Sequence, residues 1–256
     1  MSYWRWSLTA VRQATKAAAV LAAVFLFIGV ASVEAQKKFS RMYPGSNNVR
    51  IQLINRTGTV TVEGWNRSEI SITAILEAPV ANLEPQNQSG TIVINLVRDN
   101  QGRAEVGNVN FLIRVPVSAM VDIETKIGNL SVSNVSGGLV RARISSEGDI
   151  TLTNIGSSAV SAENVIGDIF FDGVMQENGN YRFSSMRGNI NLRIPFNSSF
   201  RLVATAPSTR NISMGPFGTG SLNYMGDGRR VVGKFGEGSA TLSVTNQQGS
   251  ITFLRR

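Results

Sequence analysis

The 256 residues include no cysteine and no histidine, which excludes disulfides, thiol chemistry, Ser-His-Asp and Cys-His catalytic sets and the commonest zinc sites. Lys and Arg number 25 against 17 Asp and Glu, a formal net charge of +8. That excess is moderate and scattered, so it permits attraction to anionic polymers or lipid head groups but supplies no arm or stripe of the kind that nucleic acid requires.

Residues 1–16 carry Arg5, Arg12 and Lys16 with no acid, and the uncharged run AAAVLAAVFLFIGVASV follows over Ala17–Val33. The run is slightly short of the about 20 residues of a comfortable membrane span. With Val33 and Ala35 as spaced small residues, it predicts a cleavable signal peptide over residues 1–35, cut between Ala35 and Gln36. The competing reading is an uncleaved anchor, and either way the remainder lies outside the cytoplasm. No cysteine follows the run, so anchoring through an acylated cysteine is not expected. Beyond residue 35 the balance is 22 Lys and Arg against 16 acids. A chain of that length can bury a sizeable core in one domain.

From Val49 onward the sequence alternates, as in VRIQLIN, GTVTVEGW, EISITAILEA, GTIVINLV and VNFLIRVP, with β-branched residues frequent and no convincing helical period. Pro44, Pro79, Pro85, Pro116 and Pro195 mark places where strands stop. Residues 36–116 have the alternation without a clear repeat and are expected to form an N-terminal antiparallel sheet or cap.

Over residues 117–256 a unit recurs in which a turn glycine precedes a short strand: Gly128-Asn-Leu-Ser-Val, Gly148-Asp-Ile-Thr-Leu, Gly167-Asp-Ile-Phe-Phe and Gly188-Asn-Ile-Asn-Leu, at spacings of 20, 19 and 21. The phrase also occurs at Gly58-Thr-Val-Thr-Val and Gly249-Ser-Ile-Thr-Phe. Two places after each glycine stand Val60, Leu130, Ile150, Ile169, Ile190 and Ile251; four places after stand Val62, Val132, Leu152, Phe171, Leu192 and Phe253. Such columns predict an all-β fold, a β-solenoid or single-stranded β-helix-like stack of coils of roughly 20 residues, because one coil cannot bury its own apolar face. The structural turn glycines Gly58, Gly128, Gly148, Gly167, Gly188 and Gly249 supply the tight corners. Asn129, Asp149, Asp168 and Asn189, which follow four of them, tolerate such bends. Residues 215–238 contain eight glycines and read as a loop or irregular hairpin interrupting the final coil of one continuous domain, 45–256.

Before Gly128 the inward candidates are Val121 and Ile123, and before Gly148 they are Val140, Ala142 and Ile144, which leaves Arg141 and Arg143 outside. At an offset of 19, Asp122 meets Arg141 and Glu124 meets Arg143, two expected ion pairs worth at most about 1 kcal/mol each if exposed.

The ordered glycine–strand units, the FLIRVP strand before them and the terminal TNQQGSITF resemble the bacterial putative adhesin family of exported β-strand repeat proteins, a domain of unknown function, over residues 45–256. The resemblance implies a β-solenoid-like fold at the cell envelope and transfers no catalytic residue. Pro207-Ser-Thr-Arg-Asn-Ile stands where another Gly-Asn-Ile turn belongs.

Few residues suggest chemistry. The segment from Gly228 to Gly233-Lys234-Phe235 approaches a phosphate-cradling loop but has Phe235 where magnesium needs Ser or Thr. Asp149, Asp168 and Asp172, with Arg141 or Arg143, are the set that a carbohydrate-active β-helix lyase or hydrolase would use; as turn residues the first two have a backbone role instead. Phe171 and one of Tyr181 or Phe183 belong to the core by parity, and Phe170 points outward. Strands of five to seven residues are short for an outer-membrane barrel, which needs about 9 to 11. The sequence therefore leads to a non-catalytic exported envelope protein, periplasmic or surface-exposed, an adhesin-like binding or structural module without cofactor or metal. Its expected partner is an anionic envelope polymer, a glycan or a protein, not nucleic acid, with a membrane engaged only through an uncleaved N-terminal segment.

Overall fold

The structure, a computed structural model, describes residues 36–45, 49–218 and 221–256. The expected signal peptide, with Ala35 on one side of its cut, lies outside the described residues.

Alternating apolar and polar residues produce strands almost throughout. In chain order they are β1 (Lys37–Pro44), β2 (Arg50–Thr57), β3 (Val60–Trp65), β4 (Glu69–Leu76), β5 (Gln86–Gln88), β6 (Thr91–Asn95), β7 (Val109–Pro116), β8 (Met120–Ile127), β9 (Leu130–Ser133), β10 (Leu139–Glu147), β11 (Ile150–Ile155), β12 (Ala159–Ile166), β13 (Ile169–Gly173), β14 (Asn180–Arg187), β15 (Ile190–Ile194), β16 (Phe200–Thr205), β17 (Ile212–Ser213), β18 (Ser221–Met225), β19 (Arg230–Phe235), β20 (Ala240–Gln248) and β21 (Ile251–Arg255). A helical turn, α1 (Leu96–Asp99), is capped by the Asn95 side chain, which accepts the Arg98 N–H.

The strands make two sheets. The first runs β1-β4-β7-β3-β9-β11-β13-β15-β21-β17, and the second β18-β19-β16-β20-β14-β12-β10-β8-β2-β6-β5. The chain alternates between them, turning a glycine corner from each long strand of the second sheet into a short strand of the first. Consecutive units pair in parallel, as β8, β10, β12 and β14 do on one side and β9, β11, β13 and β15 on the other.

The expected columns are in register: Val60 beside Leu130, then Ile150, Ile169, Ile190 and Ile251, with Ile212 beyond. Val62, Val132, Leu152, Phe171, Leu192 and Phe253 align likewise. Every one of these twelve glycine-following residues is fully buried. Ile212 takes its column place although Arg210 stands two places before it; Arg210 turns there with a φ of +58°, where the glycine corners stand at +114° to +153°. The inner faces of the two sheets meet in one core, where Phe171 of the first sheet packs on Phe183 and Tyr181 of the second at ring distances of 5.0 and 6.3 Å. Both Tyr181 and Phe183 are core residues, whereas sequence parity assigned only one, because β14 alternates strictly across that stretch.

The order of layers departs from the order of the chain at both ends. Strands β20 and β21 lie between the β14/β15 layer and β16/β17, so the last unit of the chain is the penultimate layer. At the other end β2/β3 stands next to β8/β9, and β6 and β7, which come later in sequence, lie outside it. Antiparallel pairing is confined to the extremities: β1 and β4 on the first sheet, β5 on the second, and the β18/β19 hairpin built from the glycine-rich segment.

Candidate functional site

The residues that sequence reasoning grouped as a carboxylate site fall on three separate surfaces. Asp149 and Asp168 belong to a ladder of corner residues. The side-chain oxygen of Asn129 accepts the Asp149 N–H at 2.9 Å, Asp149 accepts the Asp168 N–H at 2.8 Å, Asp168 the Asn189 N–H at 2.7 Å, and Asn189 the Ser250 N–H at 3.1 Å. Both carboxylates are thus engaged by the backbone of the next layer, the role that Asn fills equally well. Beside this ladder the glycines stack on one another: a Cβ on Gly167 would run into the Gly148 carbonyl, and its φ is +127°.

Asp172 lies on the outer face of the first sheet but is only 3% exposed. Arg193 donates to its Oδ2 at 2.8 Å and Arg256 Nε lies 3.1 Å from its Oδ1. The hydrogen bond and charge of Asp172 hold the Arg193 guanidinium above its ordinary pKa. Arg193 also covers the Phe170 ring at 5.6 Å, and Arg256 donates to Asn154 at 2.9 Å, so the cluster ties β11, β13, β15 and the end of the chain together. Elsewhere on that outer face Thr61, Ser131 and Thr151 form one uncharged row, and Glu63 meets Arg114 at 3.1 Å.

Arg141 and Arg143 stand on the outer face of the other sheet. Arg141 donates to Asp122 at 2.6 and 3.0 Å, as its register position requires. Asp122 is 2% exposed because Arg50 closes on it from the opposite strand, β2. The second expected pair does not form. Arg143 sits in register between Glu124 and Glu163 and turns to Glu163, at 3.9 Å.

Toward the C-terminal layers the same outer face becomes cationic. Lys234 of β19 adjoins Arg201 of β16, which adjoins Thr241 of β20. In the next row Val232, Val203 and Ser243 lead to Arg182 of β14, and in the third Arg230, Thr205 and Thr245 lead to Ser184. Arg182, Arg201, Arg230 and Lys234 are exposed, and none forms an ion pair among the described residues. This follows from the charge distribution: residues 201–256 hold seven Lys and Arg against two acids, while residues 49–200 hold 12 against 14. A whole-chain count conceals that gradient, although a windowed count of the sequence would have exposed it.

The segment from Gly228 to Phe235 turns into β19 and pairs antiparallel with β16 and β18, so its Lys234 belongs to the cationic face and not to a strand-to-helix loop. Among the described residues no group of three or more acidic side chains could hold a metal ion. Tyr181 is buried; its hydroxyl donates to the Ser157 carbonyl at 3.0 Å and accepts the Gln176 N–H at 2.7 Å, and burial raises its pKa.

A family profile described as Toastrack DUF4097 matches residues 29–253. No curated protein matches the chain. Solved structures do: a "putative cell adhesion protein" from Clostridium sporogenes ATCC 15579, at 11% identity and TM-score 0.50, covers 87% of this chain and 100% of its own. A "putative adhesin" from Bacteroides fragilis NCTC 9343 has 8% identity and TM-score 0.35 over 87% and 99%. A "putative lipid binding protein" from Parabacteroides distasonis ATCC 8503 has 8% identity and TM-score 0.32 over 86% and 97%. At these identities the likeness is one of fold, and it rests on the first of the three.

Proposed function

The chain belongs to the Toastrack DUF4097 family, and on that premise we propose a non-catalytic, exported, adhesin-like binding module that acts at the cell envelope, in the periplasm or on the surface. Residues 1–35 are its signal peptide, and residues 45–256 form one β-solenoid domain, with 36–116 as its N-terminal part and the glycine-rich hairpin at 215–238 near its end. The outer faces of the stack are its working surfaces. The observation that carries the reading is the dispersal of the would-be catalytic set: Asp149 and Asp168 cap backbone N–H groups at a corner, Asp172 is enclosed by two arginines, and Arg141 and Arg143 lie on the other sheet. A general acid and its partner carboxylate must converge on one bond, and these do not.

Incubating the purified protein with uronate polymers and neutral glycans, with and without calcium, tests the non-catalytic assignment. No change in polymer length is expected; turnover that Asp168→Asn abolishes would contradict it. The intact mass of the exported protein tests the leader, with Gln36 as the expected first residue.

A further inference from the structure

The cationic patch on the outer face of the second sheet has a shape as well as a charge. Strand β20 runs through it and, over the stretch between the cations, turns the hydroxyls of Thr241, Ser243 and Thr245 outward. Arg201 lies on the strand to one side, with Lys234 one strand further, and Arg182 lies on the strand to the other side. Neighbouring strands are about 4.8 Å apart and alternate residues about 6.8 Å, so positive groups border a flat hydroxyl strip on both sides at spacings of roughly 5 to 16 Å. Paired charges elsewhere on the two outer faces, at Asp122, Glu63 and Asp172, contrast with the free cations here.

We propose that this strip binds an acidic polysaccharide, a chain of sugar carboxylates and hydroxyls lying along β20. Guanidinium groups match carboxylates in a two-pronged geometry that an ammonium cannot copy, and the Ser and Thr hydroxyls exchange hydrogen bonds with sugar hydroxyls. A lipid surface fits less well: docking on a bilayer gains from exposed apolar side chains between the cations, and here Val203 and Val232, which stand between them, are half-buried, while the exposed Met225 lies on the edge strand beside Arg230. The inference deepens the proposed binding function and rests on it.

The test is binding of the full-length protein to polygalacturonate, to dextran, and to phosphatidylcholine vesicles with and without phosphatidylglycerol, over a range of salt. The expected result is binding to polygalacturonate that weakens with salt, with little to dextran or either vesicle. Arg201→Gln with Lys234→Gln should weaken it about tenfold, since two charge-assisted contacts are lost. Lys126→Gln with Arg67→Gln removes the same charge from exposed sites off the strip and should leave binding within about twofold. No binding to polygalacturonate, equal losses in the two double variants, or preference for anionic vesicles would each overturn the proposal. Shortening of the polymer would instead strike the non-catalytic reading beneath it, so the two failures are distinguishable.

Discussion

Gly167 turns the chain between the two sheets at φ +127°, with its α-carbon against the Gly148 carbonyl. Alanine there meets a backbone clash and a forbidden conformation together, so Gly167→Ala should cost about 2–3 kcal/mol, read as a lower urea midpoint with unchanged slope. Arg210 occupies the equivalent corner before Ile212 at φ +58°, where side chains are tolerated at some cost, so Arg210→Gly should change stability by less than about 1 kcal/mol. Tyr181 supplies a pH dependence. Its phenol has a folded pKa raised above 10.0 by burial, so its contribution is complete below pH 10 and is lost as pH rises through the folded value. Tyr181→Phe should lose about 1 kcal/mol at neutral pH, the worth of its hydrogen bonds, and should flatten the alkaline decline seen by chemical denaturation.

Elements hold together through columns that cross them, and these were legible in unequal measure. The apolar columns could be read directly because a period of roughly 20 residues places like residues side by side. Ile169→Ala, which opens a cavity in the middle of one column, should cost about 2–5 kcal/mol. The polar columns were half legible. Asp122 and Arg141 follow from a 19-residue offset, but Arg50 reaches the same carboxylate from 72 residues away, and no local pattern links the two. Asp172 looked like a candidate for chemistry; two arginines fold over it because β15 and β21 both lie to one side of β13. Asp172→Asn leaves those guanidiniums without a counter-charge and should cost about 1–3 kcal/mol, whereas Glu163→Gln, at an exposed pair, should stay within about 0.5 kcal/mol on the same urea titration.

At the scale of the molecule, eight layers stack about 4.8 Å apart, a core some 34 Å long. Both ends carry layers out of chain order and antiparallel strands, and the edge strands are β1 and β17 on one sheet and β18 and β5 on the other. That exchange of order was not legible, because β20 and β21 carry the same glycine-strand phrase as β14 and β15, and residues 91–95 read as one more alternating strand. The charge excess toward the C-terminal end could be read by counting along the sequence, but its layout could not: β20, inserted between β14 and β16, places a strand of hydroxyls between Arg182 on one side and Arg201 and Lys234 on the other. The stacking itself can be tested by disulfide formation, since the chain has no cysteine of its own. Thr61 and Ser131 are 70 residues apart in sequence and adjacent in register, while Thr151 lies one strand further on. Thr61→Cys with Ser131→Cys should oxidise to a bridge within the folded protein, because their α-carbons lie about 4.8 Å apart, and Thr61→Cys with Thr151→Cys, at about 9.6 Å, should not. A bridge in the second pair and none in the first would contradict the layered arrangement on which the binding face depends.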